Sequence, residues 1–434
     1  MADQKVIIDE EKLKEKILQK EDKKSFSSEK FIKIEEQVKL SLKKQNTDEA
    51  LKDITIWALV LWSSDIHFDC YEHDVVIRFR IDGVLVDIFR LEHKEYKHVL
   101  ERMKYASNLK LNISNIPQDG KYAVIIDERK IDVRVSTLPI AYWENIVSRI
   151  LDNSKSVVDF EKLGFFWTSK RLINQAISRK NGMILVTGPT GSGKTTTLYT
   201  MLAKLNSREK KIITLEDPIE YEMEWVIQAE VNEKNGFDFK TWLKALLRQD
   251  PDIIMVGEIR DRDTLDTATT ASLTGHLVLS TLHTKSAAET LDRIINMGLK
   301  PYVLASALDT IIAQRLVRKI CPHCKIEKEK TPQESKIIDT IMSDIWINHL
   351  PGKFIKLYHG EWCDKCWNTG YLWRIWIYEI ISLSEKLRNL IRDGATTGEI
   401  LEEARNWDFI AMKEDWVLKA IKWYTTIEEI LRVI

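Results

Sequence analysis

The stretch MILVTGPTGSGKTTTLYT, residues 183–200, decides how the rest of the chain is read. Met183 to Thr187 is a short apolar run of strand character, and Thr196 onward is compatible with a helix. Between them Gly188, Pro189, Thr190, Gly191, Ser192, Gly193, Lys194 and Thr195 fit G-x-x-x-x-G-K-[ST]. Strand, glycine loop and helix together form the context in which this motif holds phosphate. Glycines let successive backbone N–H groups curl round a polyphosphate, and the helix N-terminus adds its partial positive charge. Lys194 is placed to reach the β- and γ-phosphates, and Thr195 to ligand a magnesium ion. The competing reading is a Gly/Ser turn ahead of a helix, but all the fixed positions and both flanks agree with a nucleoside-triphosphate site.

At 434 residues the chain has room for two to four domains, each with its own core. A net charge of −1 gives no global attraction to nucleic acid or an anionic membrane. Apolar stretches such as 54–62 fall short of the roughly 20 residues a membrane helix needs. The N-terminus, MADQKVIIDEEKLKEK, has no apolar signal core. The expected compartment is the cytoplasm, where paired cysteines are read as metal ligands before disulfides.

Residues 1–47 are rich in Lys and Glu and read as a solvated or partly disordered helical arm, with a docking helix as the alternative. Residues 48–150 read as a small α/β domain. A helical stretch at 48–62 leads into SSDIHFDCY, VVIRFRIDGVLVDIF turns around Asp82-Gly83 like a hairpin, and 95–109 is helical again. PQDGKYAVII and RKIDVRVSTLP then form a second hairpin. His67, Asp69 and His73 read as ordinary junction residues, since no fourth metal ligand is near in sequence. Residues 151–162 read as a linker, and 163–318 as the nucleotide domain. There, apolar runs at 183–187, 211–215, 226–231, 252–256 and 277–281 alternate with helical ones, predicting a largely parallel sheet flanked by helices.

Three of those strand ends carry chemistry. Glu216 and Asp217 follow one, Glu258 and Arg260 a second, and His283 a third. A parallel sheet delivers all three to the edge that bears the phosphate loop, where a carboxylate can orient water and a histidine can contact the γ-phosphate region. A lone acidic residue after a strand is usually a helix cap; three such ends beside one phosphate loop favour function. Further on, Cys321-Pro-His-Cys324 and Cys363-Asp-Lys-Cys366 form C-x₂-C…C-x₂-C with 38 residues between the pairs. Four thiolates close a tetrahedral zinc site with no open position, so the metal is expected to be structural. Disulfides are the alternative. A tetracysteine subdomain is assigned to 319–383, and short helices to 384–434. Cys70 stands alone and reads as a buried thiol.

From about residue 50 to 434 these motifs, in this order, resemble the secretion ATPases that power type IV pilus assembly and type II secretion. GPTGSGKTTTLY resembles the family's Walker A segment, LEDPIEY its acidic box, DPDIIMVGEIRD its atypical Walker B and TGHLVLSTLHT its histidine box. IIAQRLVRKICPHC and CDKC resemble its zinc module. SSDIHF, PQDGKY and VRVSTLP resemble the smaller domain ahead of the motor. The resemblance implies a RecA-like P-loop core, preceded by a small PAS-like α/β domain and followed by a zinc-binding and helical module. It implies a homo-hexameric ring at the cytoplasmic face of the inner membrane, bound there only through partners: a membrane platform protein and associated assembly proteins. ATP, Mg2+ and Zn2+ are the implied cofactors. Glu258 would activate water, Glu216 and Asp217 would support magnesium and water, and His276 and His283 would couple the γ-phosphate to the domain interface. Arg134 and Arg149 match arginine fingers, and Arg260 an arginine of the motor core. A non-hydrolysing ATP-binding scaffold is the first competing function. A nucleic-acid translocase is the second, disfavoured by the near-zero charge and the lack of a basic, aromatic-interleaved stripe.

The chain departs from that family in two ways. The charged arm stands where many members carry a large docking domain. In addition, Trp62, Trp143, Trp362, Trp373, Trp376, Trp407, Trp416 and Trp423 stand where the family has glycine. The chain has 16 glycines and 14 tryptophans, which together approach the ~7% ordinarily taken by glycine alone. A gene whose UGA codons mean glycine, translated with UGA as tryptophan, gives this pattern. On that expectation the zinc module suffers most and the phosphate loop is untouched.

Overall fold

The computed structural model of the chain describes residues 26–126, 129–152, 158–231, 239–343, 355–407 and 409–433. It divides into two compact units, the first comprising Met1–Ser156 with Trp362–Gly370 and the second Val157–Glu361 with Tyr371–Ile434.

The first unit is an antiparallel sheet with helices on one face. Its strands are β1 (Ser63–Cys70), β2 (Val75–Ile81), β3 (Val84–Leu91), β4 (Gln118–Ile126), β5 (Arg129–Ile140) and β6 (Trp143–Asp152). Their spatial order is β3-β2-β1-β6-β5-β4. Both hairpins expected from the sequence are present, and Asp82 (φ 47°) and Gly83 (φ 85°) take the left-handed conformation a two-residue β2–β3 turn requires. The helices Thr47–Val60 and His93–Ala106 bury Ile54, Tyr96 and Val99 against Phe68, Phe79 and Val133 of the sheet. Part of the segment read as a solvated arm belongs to this core: Phe26–Lys43 is a helix whose Ile34 and Val38 are fully buried. The i, i+4 spacing of those two β-branched residues gives a narrow apolar stripe, masked in composition by the lysines and glutamates around it. The apolar positions at 7–18 lie outside the described residues. Asp69, weighed as a metal ligand, is instead paired with Arg78 at 2.6 Å. Cys70 is buried, its thiol donating to the Glu144 carbonyl at 3.2 Å, and burial pushes it up to about 11.

The second unit has three layers. Its strands are β7 (Gly182–Thr187), β8 (Ile212–Glu216), β9 (Val226–Glu230), β10 (Ile253–Val256), β11 (Leu277–Leu282), β12 (Leu308–Ile320), β13 (Lys325–Lys328), β14 (Leu357–Gly360) and β15 (Tyr371–Ser382). Seven of them form one sheet in the order β15-β12-β7-β11-β10-β8-β9, parallel except for β15. Because successive side chains point to opposite faces, Met183 and Leu185 of β7 enter one core with the helices Arg262–Leu273 and Ala287–Asn296. Ile184 and Val186 enter the other, with Lys194–Leu205 and Trp167–Ile177. All five strands expected from apolar runs are present. The sheet also draws on residues assigned to the tetracysteine subdomain: β12 runs past 318 to Ile320, and β15 lies wholly within 319–383. Charged residues interrupt both strands, Arg315, Arg318 and Lys319 in β12 and Arg374 and Glu379 in β15, and hide the pattern. No helix among the described residues is long and apolar enough to cross a membrane.

Candidate active site

The phosphate loop is shaped by close approach. A Cβ on Gly188 would lie 2.5 Å from the Gln314 carbonyl oxygen, so only glycine lets the loop leave β7 there. Gly193 (φ 84°) caps the helix Lys194–Leu205, which leaves Lys194, Thr195 and Thr196 half-buried in its first turn. Lys194 Nζ donates to the carbonyls of Gly188 (2.9 Å) and Pro189 (3.3 Å). The loop is therefore closed by its own lysine, whose ammonium sits where phosphate oxygens can replace the two carbonyls. Burial holds Lys194 down to about 8, with nearby Glu258 acting in the opposite direction.

The parallel register brings the other strand ends to the same edge. Thr187 pairs with Leu282, and Val256 with both Ser280 and Leu215, so the residues after β7, β8, β10 and β11 emerge together. His283 Nε2 lies 3.2 Å from Glu258 Oε2, and Arg260 reaches the other Glu258 oxygen and, at 3.4 Å, Asp217 Oδ2. Asp217, Glu258, Arg260 and His283 thus form one linked cluster. The Glu258 carboxylate, one-fifth exposed, is flanked on one side by a guanidinium and on the other by an imidazole. A buried hydroxyl chain fixes the strand ends beneath it: Thr187 Oγ1 lies 2.6 Å from Thr284 Oγ1, which lies 2.6 Å from Thr290 Oγ1.

Two expected residues sit differently. Glu216 is buried and turned inward: Tyr199 donates to one carboxylate oxygen, while Thr214 (2.6 Å) and Gln228 (3.2 Å) donate to the other. Burial raises its pKa in spite of those donors. It anchors the strand end rather than presenting a free carboxylate. His276 precedes β11, and its carbonyl accepts from Gly182 N–H at the start of β7. Seven residues from His283 along an extended strand, it lies roughly 20 Å away, at the opposite edge of the sheet. Its Nδ1 is 2.9 Å from the Ala271 carbonyl, at the end of the helix Arg262–Leu273. His276 is therefore not part of the cluster around Glu258. Two histidines near each other in sequence were separated by the strand between them.

Arg134 and Arg149 lie on the first unit, directly opposite each other in the β5–β6 ladder. Lys121 is opposite Arg134, and Asp65 is opposite Arg149 and accepts from its Nε at 2.8 Å. Cross-strand partners share a face, so three cations are aligned beside one carboxylate, an arrangement of like charges that sheets ordinarily avoid.

One side chain of the site escaped sequence reading. Gln314, fully buried on β12, donates from Nε2 to the Ser192 carbonyl (2.8 Å) and accepts at Oε1 from Thr197 Oγ1 (2.8 Å). It therefore ties the loop to the helix that follows. The only signal was a polar residue inside the apolar run IIAQRLV. The expectation that no tryptophan touches the phosphate loop also fails. Trp376 of β15 packs against Gly193, its Nε1 2.5 Å from where a Cβ would stand, and that indole N–H is buried without a hydrogen-bond partner.

Cys321, Cys324, Cys363 and Cys366 converge, all four sulfurs lying within 4.8 Å of one another. Four thiols at that separation, none bridged as a disulfide, match a tetrahedral thiolate set, whose sulfurs sit about 2.3 Å from zinc.

The family model described as type II/IV secretion system protein matches residues 41–432. Type II secretion system protein E of Aeromonas hydrophila is 41% identical over 372 residues, covering 86% of this chain and 72% of that protein. The type IV pilus assembly ATPase PilB of Pseudomonas aeruginosa is 44% identical over 372 residues, covering 86% of this chain and 64% of that one. Among solved structures, the pilus retraction motor PilT with bound ADP superposes with a TM-score of 0.59 at 27% identity, covering 88% of this chain and 95% of that one. The Legionella pneumophila ATPase DotB shares the fold, with a TM-score of 0.64 at 20% identity over 88% of this chain and 94% of that one.

Proposed function

Since the chain belongs to the type II/IV secretion system protein family, we propose that it is a motor ATPase driving type IV pilus assembly or type II secretion. The observation that carries the hydrolytic reading is Glu258, held between His283 and Arg260 on the sheet edge that also bears the Lys194 loop. ATP binds with its β- and γ-phosphates on the Gly188–Thr195 loop, displacing the Gly188 and Pro189 carbonyls from Lys194. The ADP bound to PilT, on the same fold, supports the nucleotide. Thr195 and Asp217 hold Mg2+, and Glu258 accepts a proton from the attacking water, its carboxylate oriented by Arg260 and His283. Glu216 acts through the position of the β8 end. Arg134 and Arg149 are assigned to stabilising charge on the transferring phosphoryl group. Their alignment with Lys121 supports that reading. The four cysteines hold a structural Zn2+.

The working form is a homo-hexamer at the cytoplasmic face of the inner membrane, docked on a platform protein and its associated assembly proteins. Steady-state turnover of a Glu258→Gln variant tests the assignment. It falls by about 10²–10⁴-fold, the usual worth of a general base, while nucleotide binding persists. Unchanged turnover removes Glu258 from this role, and a wild-type chain that binds but never hydrolyses ATP makes the protein a scaffold.

A further inference from the structure

Eleven non-glycine residues among those described have positive φ. Four are Asn or Asp, the side chains that tolerate it, and one is Gln45. The remaining six are tryptophans: Trp62, Trp143, Trp225, Trp367, Trp373 and Trp423. For so bulky a residue a single case is an outlier, and here they outnumber Asn and Asp together.

Each of the six does a backbone job that glycine does. Trp423 follows the helix Met412–Ile421. Its N–H donates to Ala420 O (2.9 Å) and that of Tyr424 to Lys419 O (2.9 Å), which is the Schellman ending. The helix Ala287–Asn296 ends with the same pair of bonds around Gly298 (φ 96°), and Glu385–Arg392 does so around Gly394 (φ 75°). At the end of His93–Ala106 the residue is Asn108, the usual second choice. Trp62 (φ 55°) occupies the corresponding place after Thr47–Val60, donating to Leu59 O at 3.0 Å. Trp225 (φ 63°) is the third residue of a turn closed by Val226 N–H to Met223 O at 3.3 Å, a place that takes glycine when φ is positive. Trp373 (φ 65°) lies where three steps along β15 oppose two along β12, a bulge whose left-handed residue is normally glycine. Trp143 (φ 155°) leaves the β5–β6 turn in a region essentially reserved for glycine. Trp367 (φ 56°) closes the second cysteine knuckle.

The side chains add an independent observation. Trp62, Trp225, Trp373 and Trp423 are exposed, which an indole ordinarily avoids. Trp416 is buried and Trp376 half-buried, and both have indole N–H groups that are shielded from solvent and unpartnered, which indoles also avoid. At these places the backbone holds the conformation that glycine adopts most readily.

We propose that positions 62, 143, 225, 367, 373 and 423 are glycine in the protein its own cell makes. The codon UGA is read there as glycine, and the indoles arise from reading it as tryptophan. A single reassigned codon accounts for one residue type standing at glycine's places throughout both units; separate substitutions would introduce many types. Trp225 and Trp367 are marked by conformation alone. The other four, marked by conformation, were also marked by family pattern.

The deciding experiment is peptide mass spectrometry of the protein purified from the cell that encodes it. The tryptic peptide Cys366–Arg374 reports two of the positions at once. Glycine at 367 and 373 supports the proposal, and tryptophan at either overturns it. A recombinant comparison tests the backbone argument separately. The chain with all six positions set to glycine melts above the chain with all six set to alanine, by several degrees; melting at or below it overturns the argument.

Discussion

Position 62 isolates the backbone term from everything else an indole does. Trp62→Gly and Trp62→Ala remove the same side chain beyond Cβ and leave the same terminus of the helix Thr47–Val60, so their difference reports only what a Cβ does at φ 55°. A left-handed conformation costs a residue with a Cβ roughly 1–2 kcal/mol. Against that, glycine gives the unfolded chain extra freedom worth about 0.4–1 kcal/mol. The glycine variant should therefore be the more stable by about 1 kcal/mol, or about 2–4 °C in melting temperature for a unit of this size. Trp57 supplies the opposite control within the same helix. There φ is helical, and glycine should be less stable than alanine by about 0.8–1.0 kcal/mol. Differential scanning fluorimetry on the four variants reads both differences. A sign reversal between 57 and 62 is the expected result; glycine falling below alanine at both positions refutes the conformational argument.

Other consequences follow from the site. Gln314→Ala leaves the Ser192 carbonyl and Thr197 hydroxyl without their buried partner. It should lower stability by about 1–3 kcal/mol and weaken nucleotide binding, read by melting with and without ADP. Phosphate drawn onto Lys194 raises a pKa that burial holds near 8, so binding takes up a proton above that pH. Affinity should be flat from pH 6.5 to 7.5 and fall above about pH 8, approaching tenfold per unit, whereas Lys194→Arg, being always charged, should lose that slope. The tetracysteine site should hold one zinc per chain by elemental analysis, and Cys366→Ser should lose the metal together with several degrees of thermal stability.

The legible parts of the chain were those where local pattern and global role coincide. Four core strands, β7, β8, β10 and β11, read from sequence because parallel strands buried on both faces are continuous apolar runs, and the phosphate loop read because its glycines are required one by one. The strand-end rule correctly brought Glu258 and His283 together, since it depends only on chain direction. It could not say which way a side chain turns, and so Glu216 was expected at the edge when Tyr199, Thr214 and Gln228 hold it inside. His276 stands before β11, and a count of residues along that strand places it on the far edge. Gln314 was illegible because its partners, Ser192 and Thr197, are more than a hundred residues away in sequence.

The strands that sequence could not resolve connect the two strongest motifs. β12 meets the phosphate loop through Gln314 and runs directly into Cys321, while β15 begins five residues after Cys366 and meets the loop helix through Trp376. Both cysteine pairs therefore lie next to strands that brace the nucleotide site, and a metal joining those pairs would fix the end of β12 against the start of β15. The bulge at residue 373 sits between the metal ligands and the phosphate loop, along the only strand of the sheet that runs antiparallel. In a glycine form carrying Trp373→Gly and Trp376→Gly, the bulge forms without strain and no indole packs against the Gly193 cap. The bracing is then weakest in the tryptophan form at the place where metal site and nucleotide site are coupled. Zinc removal should accordingly shift nucleotide affinity more in the glycine form, where β15 transmits the constraint, than in the tryptophan form, where it is already disturbed. Titration of each form with ADP before and after chelation compares the two shifts, and equal shifts would show that the strand carries no such coupling.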